Sequence, residues 1–350
     1  MILELKDIKY SYPDGYIALE DVNASVSEKS FVVVLGESGS GKTTLFKIIS
    51  GLFDPDEGNV FINNEDVTNV KTASRDLTMI FQNFVLYPHL TIYHNVMIGL
   101  NGFDMKDDEK DARVKEILTA FGLRDYLNFK PKHISDGQKQ RVCICKALIR
   151  EPSLFLMDEP LSNLDLPQRT KIKYELKEIY EKYNSSFIYI THDIKDAELL
   201  STLVWIMDRG RIIQQGSLKE IRENPKSLKV MQLVYSGNIN EYQVDFDGSF
   251  IKNNAFSIPY KEKRTKREYT LAFTYKDTLI DQNGPIEGEI LSLKMMPDGL
   301  LINAKLKDET LLGCLVDDDE IELKEGDICR FNIKENKIRL FKSNPNKIPG

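Results

Sequence analysis

One stretch constrains this chain more than any other: FVVVLGESGSGKTTLFKIISGL, residues 31–52. Phe31, Val32, Val33, Val34 and Leu35 form an unbroken apolar run. Such a run suits a strand buried on both faces of a parallel sheet. The pattern Gly36-x-x-x-x-Gly41-Lys42-Thr43 follows at once, and then an apolar helical spacing, Leu45, Ile48, Ile49 and Leu52. A strand that passes through a glycine-rich loop into a helix start gathers free amides and a helix dipole around one point, which favours phosphate. Gly36, Gly39 and Gly41 let the backbone wrap the phosphate oxygens, with Ser38, Ser40 and Thr44 in the same cradle. Lys42 is the reach towards the β/γ oxygens, and Thr43 supplies a hydroxyl for Mg²⁺. The chain must then contain an open α/β sheet with its ligand at the carboxyl ends of the strands.

Two more apolar runs end in chemistry-bearing residues. LFLMDEP, residues 154–160, closes a strand with Asp158 and Glu159. Asp158 is a metal group of the Mg²⁺ site, and Glu159 is placed to orient or polarise an attacking water. SFIYITHD, residues 186–193, ends in His192, a γ-phosphate sensor once the three strand ends are taken together. A fourth stretch, ISDGQKQRV at 134–142, reads as a helix start, with Ser135 and Gln138 at capping-box spacing. A helix start also holds anions, so Asp136 stands either as a good first-turn residue or where a phosphate should bind.

The order of these elements resembles the ATP-binding subunits of ABC transporters. The resemblance runs over about residues 1–235, through Gly36–Thr44, MIFQNFVLYPHLT, ISDGQKQRV, LMDEPLSNLD and ITHD. It implies a RecA-like α/β core with an α-helical subdomain at about 84–150. It further implies that Tyr12 stacks on adenine and that Gln82 touches Mg²⁺ or water and couples the site to the membrane partner. Asp165, in SNLD, is implied in a loop that crosses a dimer interface. Ser135, Gly137 and Gln138 belong to a signature that caps the ATP of another subunit. Phe84, Leu86, Tyr87 and Leu90 are candidates for contact with a transmembrane permease subunit. The family's usual signature is Leu-Ser-Gly-Gly-Gln; here Ile134 and Asp136 replace its first and third residues. Asp136 brings negative charge towards a phosphate, so a weakened ATP-closed dimer is expected. The absence of an NKxD sequence after the second motif strand disfavours a GTPase.

Beyond about residue 235, β-like runs alternate with turn signals: PIEGEILSLKMM, GLLINAKL, TLLGCLV, DICRFNI and KIRLF. A smaller all-β unit is expected over 236–350. Its ending is similar to the OB-like regulatory domains of ATPases in maltose, sugar-phosphate and polyamine importers. Their arginine-proline motif is absent, and LAFTYKDT stands about where it belongs. The basic run KEKRTKRE at 261–268 reads as a solvated turn or hairpin.

Charge narrows the partners. With 47 Lys and Arg against 54 Asp and Glu, the net charge is -7. This argues against nucleic-acid binding, which needs a basic surface. No uncharged apolar run reaches the length of a membrane span, and charges interrupt any secretory h-region in MILELKDIKYSY. The four cysteines, 143, 145, 314 and 329, show neither disulfide nor zinc spacing and read as small buried hydrophobes. The expected protein is an ATPase at the cytoplasmic face of the cell membrane, using ATP and Mg²⁺. It would work as a homodimer with permease subunits and a solute-binding protein. A heterodimer with a different ATPase is the alternative. Sugars or sugar derivatives lead as solute, followed by polyamines and inorganic ions.

Overall fold

A strand with two parallel neighbours can be apolar on both faces, and the strand Phe31–Leu35 has both. The computed structural model describes residues 1–80, 86–161, 166–182, 185–261, 264–317 and 322–342. The chain divides into two compact units, Met1–Asn224 and Pro225–Gly350.

The first unit opens with β1 (Leu3–Ser11), β2 (Ile17–Val26), β3 (Phe31–Leu35), α1 (Lys42–Ile49), β4 (Glu57–Ile62) and β5 (Glu65–Asp66). It continues with β6 (Leu77–Ile80), α2 (Ile92–Met97), α3 (Asp107–Ala120) and α4 (Asp136–Leu148). After these come β7 (Leu154–Asp158), α5 (Leu166–Lys182), β8 (Ser186–Thr191), α6 (Ile194–Leu200), β9 (Leu203–Asp208), β10 (Arg211–Gly216) and α7 (Leu218–Glu223). Among the described residues these strands form a six-stranded sheet, β10-β9-β3-β8-β7-β6, and a four-stranded antiparallel sheet, β2-β1-β4-β5. β3 is parallel to both β8 and β9, and β7 is parallel to β6 and β8. Every residue of β3 and of β8 is buried. Leu3, Leu5 and Ile8 of the smaller sheet share one core with Leu45, Phe46 and Ile49 of α1 and with Val32 and Val34 of β3.

This topology positions the site. β3, β8 and β7 are adjacent and run the same way. The loops that follow them, carrying Gly36–Gly41, His192 and Glu159, therefore leave the sheet along one edge. The α-helical part is present as α2, α3 and α4. Ile92, Val96, Val114, Ile117 and Leu118 are buried there, and Phe121 is half-buried.

The second unit begins with α8 (Leu228–Val234), whose Met231 packs with Ile239 and Ala272. The division thus falls after Asn224, ahead of the boundary expected near residue 235, and α8 goes with the strands that follow it. Those strands are β11 (Ile239–Phe246), β12 (Phe250–Lys252), β13 (Ser257–Pro259), β14 (Arg267–Thr274), β15 (Thr278–Ile280), β16 (Ile286–Met296), β17 (Gly299–Leu306), β18 (Leu311–Val316), β19 (Ile328–Ile333) and β20 (Arg339–Lys342). Among the described residues they form two five-stranded antiparallel sheets, β13-β12-β11-β14-β20 and β15-β19-β16-β17-β18. Leu271 and Phe273 of the first sheet and Ile286, Ile302 and Phe331 of the second lie in one core. Gly299 takes a φ of 124° at the turn between β16 and β17, where a Cβ would meet the Val316 carbonyl oxygen at 2.2 Å.

Candidate active site

The loop after β3 is shaped by glycine. Gly41 caps α1 with a φ of 101°, and a Cβ there would stand 2.7 Å from the Ala18 carbonyl oxygen. Gly36 has an ordinary φ, but its added Cβ would lie 2.5 Å from the Met207 carbonyl oxygen. Gly39, with a φ of 80°, faces open space together with Ser38. Across this loop lies Lys42, whose Nζ donates to the carbonyl oxygens of Gly36 and Glu37, each at 2.8 Å, and to Ser40 Oγ at 3.4 Å. Burial pulls the Lys42 ammonium below its usual range, while the nearby charges of Glu159, Asp158 and Glu37 act against that shift.

Asp158, at the end of β7, meets this cluster. Thr43 Oγ1 donates to Asp158 Oδ1 at 3.4 Å. Burial pushes the Asp158 carboxyl above the ordinary range. The Thr43 hydroxyl lowers it, Glu159 adds to the rise, and Lys42 and Lys47 oppose it. A half-buried carboxylate whose positive neighbours do not fully compensate it, beside a hydroxyl, suits a hard cation that takes oxygen donors. Thr43 and Asp158 therefore fit Mg²⁺ by donor type and by charge.

Glu159 turns out of β7 in the left-handed region, with a φ of 44°, and its amide donates to the Ile190 carbonyl oxygen at 3.2 Å. A glutamate held in that region stores strain of roughly 1–3 kcal/mol, a cost that structures keep where a side chain must be aimed. Its Oε1 stands 3.6 Å from Nδ1 of His192, whose side chain is 67% exposed. The cradle, Lys42, Thr43, Asp158, Glu159 and His192 thus share one sheet edge. Tyr12 joins from the β1–β2 loop, with its hydroxyl 2.9 Å from Thr44 Oγ1. Its ring is half-buried and stacks against Tyr16 at 6.4 Å.

The signature lies on a separate helix. Ser135 Oγ accepts from the Gln138 amide at 3.3 Å, and Gln138 Oε1 accepts from the Ser135 amide at 2.8 Å. This is the capping box expected from the sequence. Asp136 is the first residue of α4 and is absent from the positive-φ residues, so a carboxylate replaces glycine there without backbone strain. It accepts from Lys139 Nζ at 2.8 Å. Gln82 and Asp165, with Phe84, lie outside the described residues. Leu86 and Leu90 are half-buried and Tyr87 is exposed.

The chain resembles known proteins over the same parts. The ABC transporter family profile matches residues 19–162. The sn-glycerol-3-phosphate import ATP-binding protein UgpC of Roseobacter denitrificans is 35% identical over 73% of this chain and 72% of its own length. The chain belongs to the ABC transporter ATP-binding proteins. The oligosaccharides import ATP-binding protein MsmX of Bacillus subtilis is 29% identical over 97% of both chains, so its likeness spans both units. A dimeric, post-hydrolysis structure of the ATP-binding cassette MJ0796, bound to ADP and Pi, superposes with a TM-score of 0.55 at 31% identity. It covers 62% of this chain and 98% of its own. As a member of this family, the chain is an ATPase coupled to transport.

Several residues of this ABC ATPase were not singled out by motif. Arg75, 4% exposed, donates to four backbone carbonyl oxygens: Ile48, Ile49, Val70 and Thr68, at 2.6–3.0 Å. The first two close the end of α1, and Gly51, with a φ of 73°, leaves room for the guanidinium. Asn95 is buried and pins the loop that carries Tyr87 and Leu90. It accepts from the Tyr87 amide at 2.7 Å and donates to the carbonyl oxygens of Tyr87 and Thr91 at 3.1 and 2.9 Å. An arginine that reaches the carbonyls of Ile48 and Ile49, or an asparagine that folds a loop onto itself, follows no sequence pattern. The pairing of Lys139 with Asp136 had one, the i,i+3 spacing on a helix.

Proposed function

We propose that this chain is the ATP-hydrolysing subunit of an importer for a sugar or sugar derivative, working at the cytoplasmic face of the membrane. One observation carries the catalytic reading. Lys42, the Thr43–Asp158 pair and the Glu159–His192 pair leave adjacent parallel strands along one edge. In this reading the loop amides and Lys42 hold the β and γ phosphates of ATP. Thr43 and Asp158, with Gln82, hold Mg²⁺, which when bound neutralises charge on the phosphate oxygens. Glu159 accepts a hydrogen bond from the attacking water and orients it towards the γ-phosphate. His192 faces that phosphate from the β8 side, and Tyr12 stacks on adenine.

Ser135, Gly137 and Gln138 then act on a second subunit. The free amides at the start of α4 and the Ser135 hydroxyl cap ATP held by the partner, and Asp165 is proposed to act at the same contact. The dimeric state of the MJ0796 relative supports this arrangement, and a homodimer is the simplest form for a chain that carries both halves of the site. Tyr87, Leu86, Leu90 and Phe84 are proposed to face permease subunits, and a solute-binding protein completes the importer. The likeness to MsmX across both units favours a sugar solute.

The test is paired. Purified full-length protein with its permease partners is assayed for ATP turnover and for labelled oligosaccharide uptake, beside Glu159→Gln and Lys42→Ala. Loss of turnover in both variants with loss of uptake supports the reading. Native turnover in Glu159→Gln sinks the assigned chemistry, and turnover without oligosaccharide uptake sinks the solute class.

A further inference from the structure

Helix α5 buries a lysine beneath the loop that carries His192. Lys173 is 6% exposed. Its Nζ donates to Asp193 Oδ2 at 3.1 Å and pairs with Asp196 Oδ1. Asp196 is also buried, and its Oδ2 accepts from Thr191 Oγ1 at 2.7 Å. That hydroxyl in turn accepts from the Asp193 amide at 3.0 Å. Both residues that flank His192 are therefore tied down, Thr191 through Asp196 and Asp193 through Lys173. Asp193 also caps α6, its Oδ1 accepting from the Lys195 amide at 3.0 Å. A cavity of about 20 Å³, room for a single water, lies between Glu159, His192, Arg169 and Asp196.

The energetics say what such a network supplies. Lys173 and Asp196 give up their hydration on burial while Asp193 stays partly exposed, and a buried ion pair often stabilises no more than apolar packing of the same volume. Its distinctive product is geometry: Lys173 must meet Asp193 and Asp196 together, and that fixes the backbone on either side of His192. The exposed ring of His192 is therefore placed by the loop that bears it. We infer that Lys173 is a positioning residue for ATP hydrolysis, holding the His192 loop at the distance at which its ring meets Glu159 and the γ-phosphate. This inference rests on the proposed role of His192.

The experiment uses the full chain with Lys173→Met, Lys173→Arg and His192→Ala, reading kcat, KM for ATP and ADP affinity, each per nucleotide-binding site. Lys173→Met is expected to lower kcat about tenfold or more while ADP affinity stays within about twofold, because a misplacement near 1 Å is costly only where atoms react. Lys173→Arg, which keeps the charge, is expected to restore most of that loss. Where Lys173→Met does not fold, Asp193→Asn carries the same expectation, since its amide oxygen can still cap α6. A kcat near the native value in the Lys173→Met or Asp193→Asn protein, with His192→Ala impaired, overturns the inference alone. A parallel loss of ADP affinity overturns it too, since that marks general damage. Native turnover in His192→Ala overturns the inference together with the reading beneath it.

Discussion

Lys139→Gln is the perturbation that separates this chain from relatives with glycine at position 136. In the native protein Asp136 and Lys139 pair at 2.8 Å one turn apart, and the Asp136 side chain is 73% exposed. The pair itself contributes only about 0.2–0.5 kcal/mol to the helix. Its larger effect is on the field that a second subunit's ATP would meet. With exposure this high, a water-like dielectric applies. At a separation of one Debye length, about 8 Å at physiological salt, a carboxylate is repelled by a γ-phosphate bearing about two negative charges by about 1 kcal/mol unscreened and about 0.4 kcal/mol screened. A closed dimer contains two such contacts, so leaving Asp136 unpaired is expected to weaken ATP-driven closure by roughly 0.8–2 kcal/mol, about four- to thirtyfold. The assay is ATP-driven association in a Glu159→Gln background, followed by sedimentation at low and high salt. Lys139→Gln is expected to weaken association more at low salt, and Asp136→Gly added to it should restore the native value. Equal association for native and Lys139→Gln at both salts refutes this reasoning, as does a double variant that stays weak.

Three further outcomes follow from individual contacts. Arg75→Ala leaves four backbone carbonyl oxygens, three of them in buried bonds, without a charged donor and should cost about 3 kcal/mol or more in urea unfolding; Arg75→Lys should recover only part of it. Tyr12→Phe loses the bond to Thr44 but keeps the ring, so KM for ATP should change little, whereas Tyr12→Ala should raise KM about tenfold, as expected for a lost base-stacking contact. Burial pushes the Cys143 and Cys314 thiols up to about 12, so at pH 8 roughly one in ten thousand is a thiolate. Iodoacetamide should label both slowly in the native protein and fast in urea.

How much was legible followed from how local each signal was. The P-loop declared itself because its strand, glycines, lysine and helix are contiguous. The ends of β7 and β8 were readable because apolar runs stopped at Asp158 and at His192. In the second unit, β16 to β20 followed from alternating runs and turn signals, while β11 to β15 were missed, since NINEYQVDFDGSFIKNN mixes polar residues into its strands and the basic run at 261–268 hides the start of β14 at Arg267. The place of α8 was also not legible, because its partners Ile239 and Ala272 are recruited by tertiary packing. Arg75 and Lys173 act through groups distant in sequence, while Asn95 bonds the backbone of the loop just before it, and no pattern in the chain announces such partners. Asp136 was visible as a departure, but its sign of effect depended on Lys139, whose bond only the folded helix displays.

The central claim is that ATP held by one chain is closed over by Ser135 of another and then hydrolysed with Glu159. Retention of labelled ATP through rapid gel filtration tests this most directly, using Glu159→Gln alone and with Ser135→Arg. The single variant is expected to keep ATP unhydrolysed in near-stoichiometric amount, and the double variant to bind ATP at equilibrium but release it on the column. Hydrolysis at the native rate by Glu159→Gln, or retention unaffected by Ser135→Arg, would contradict the account.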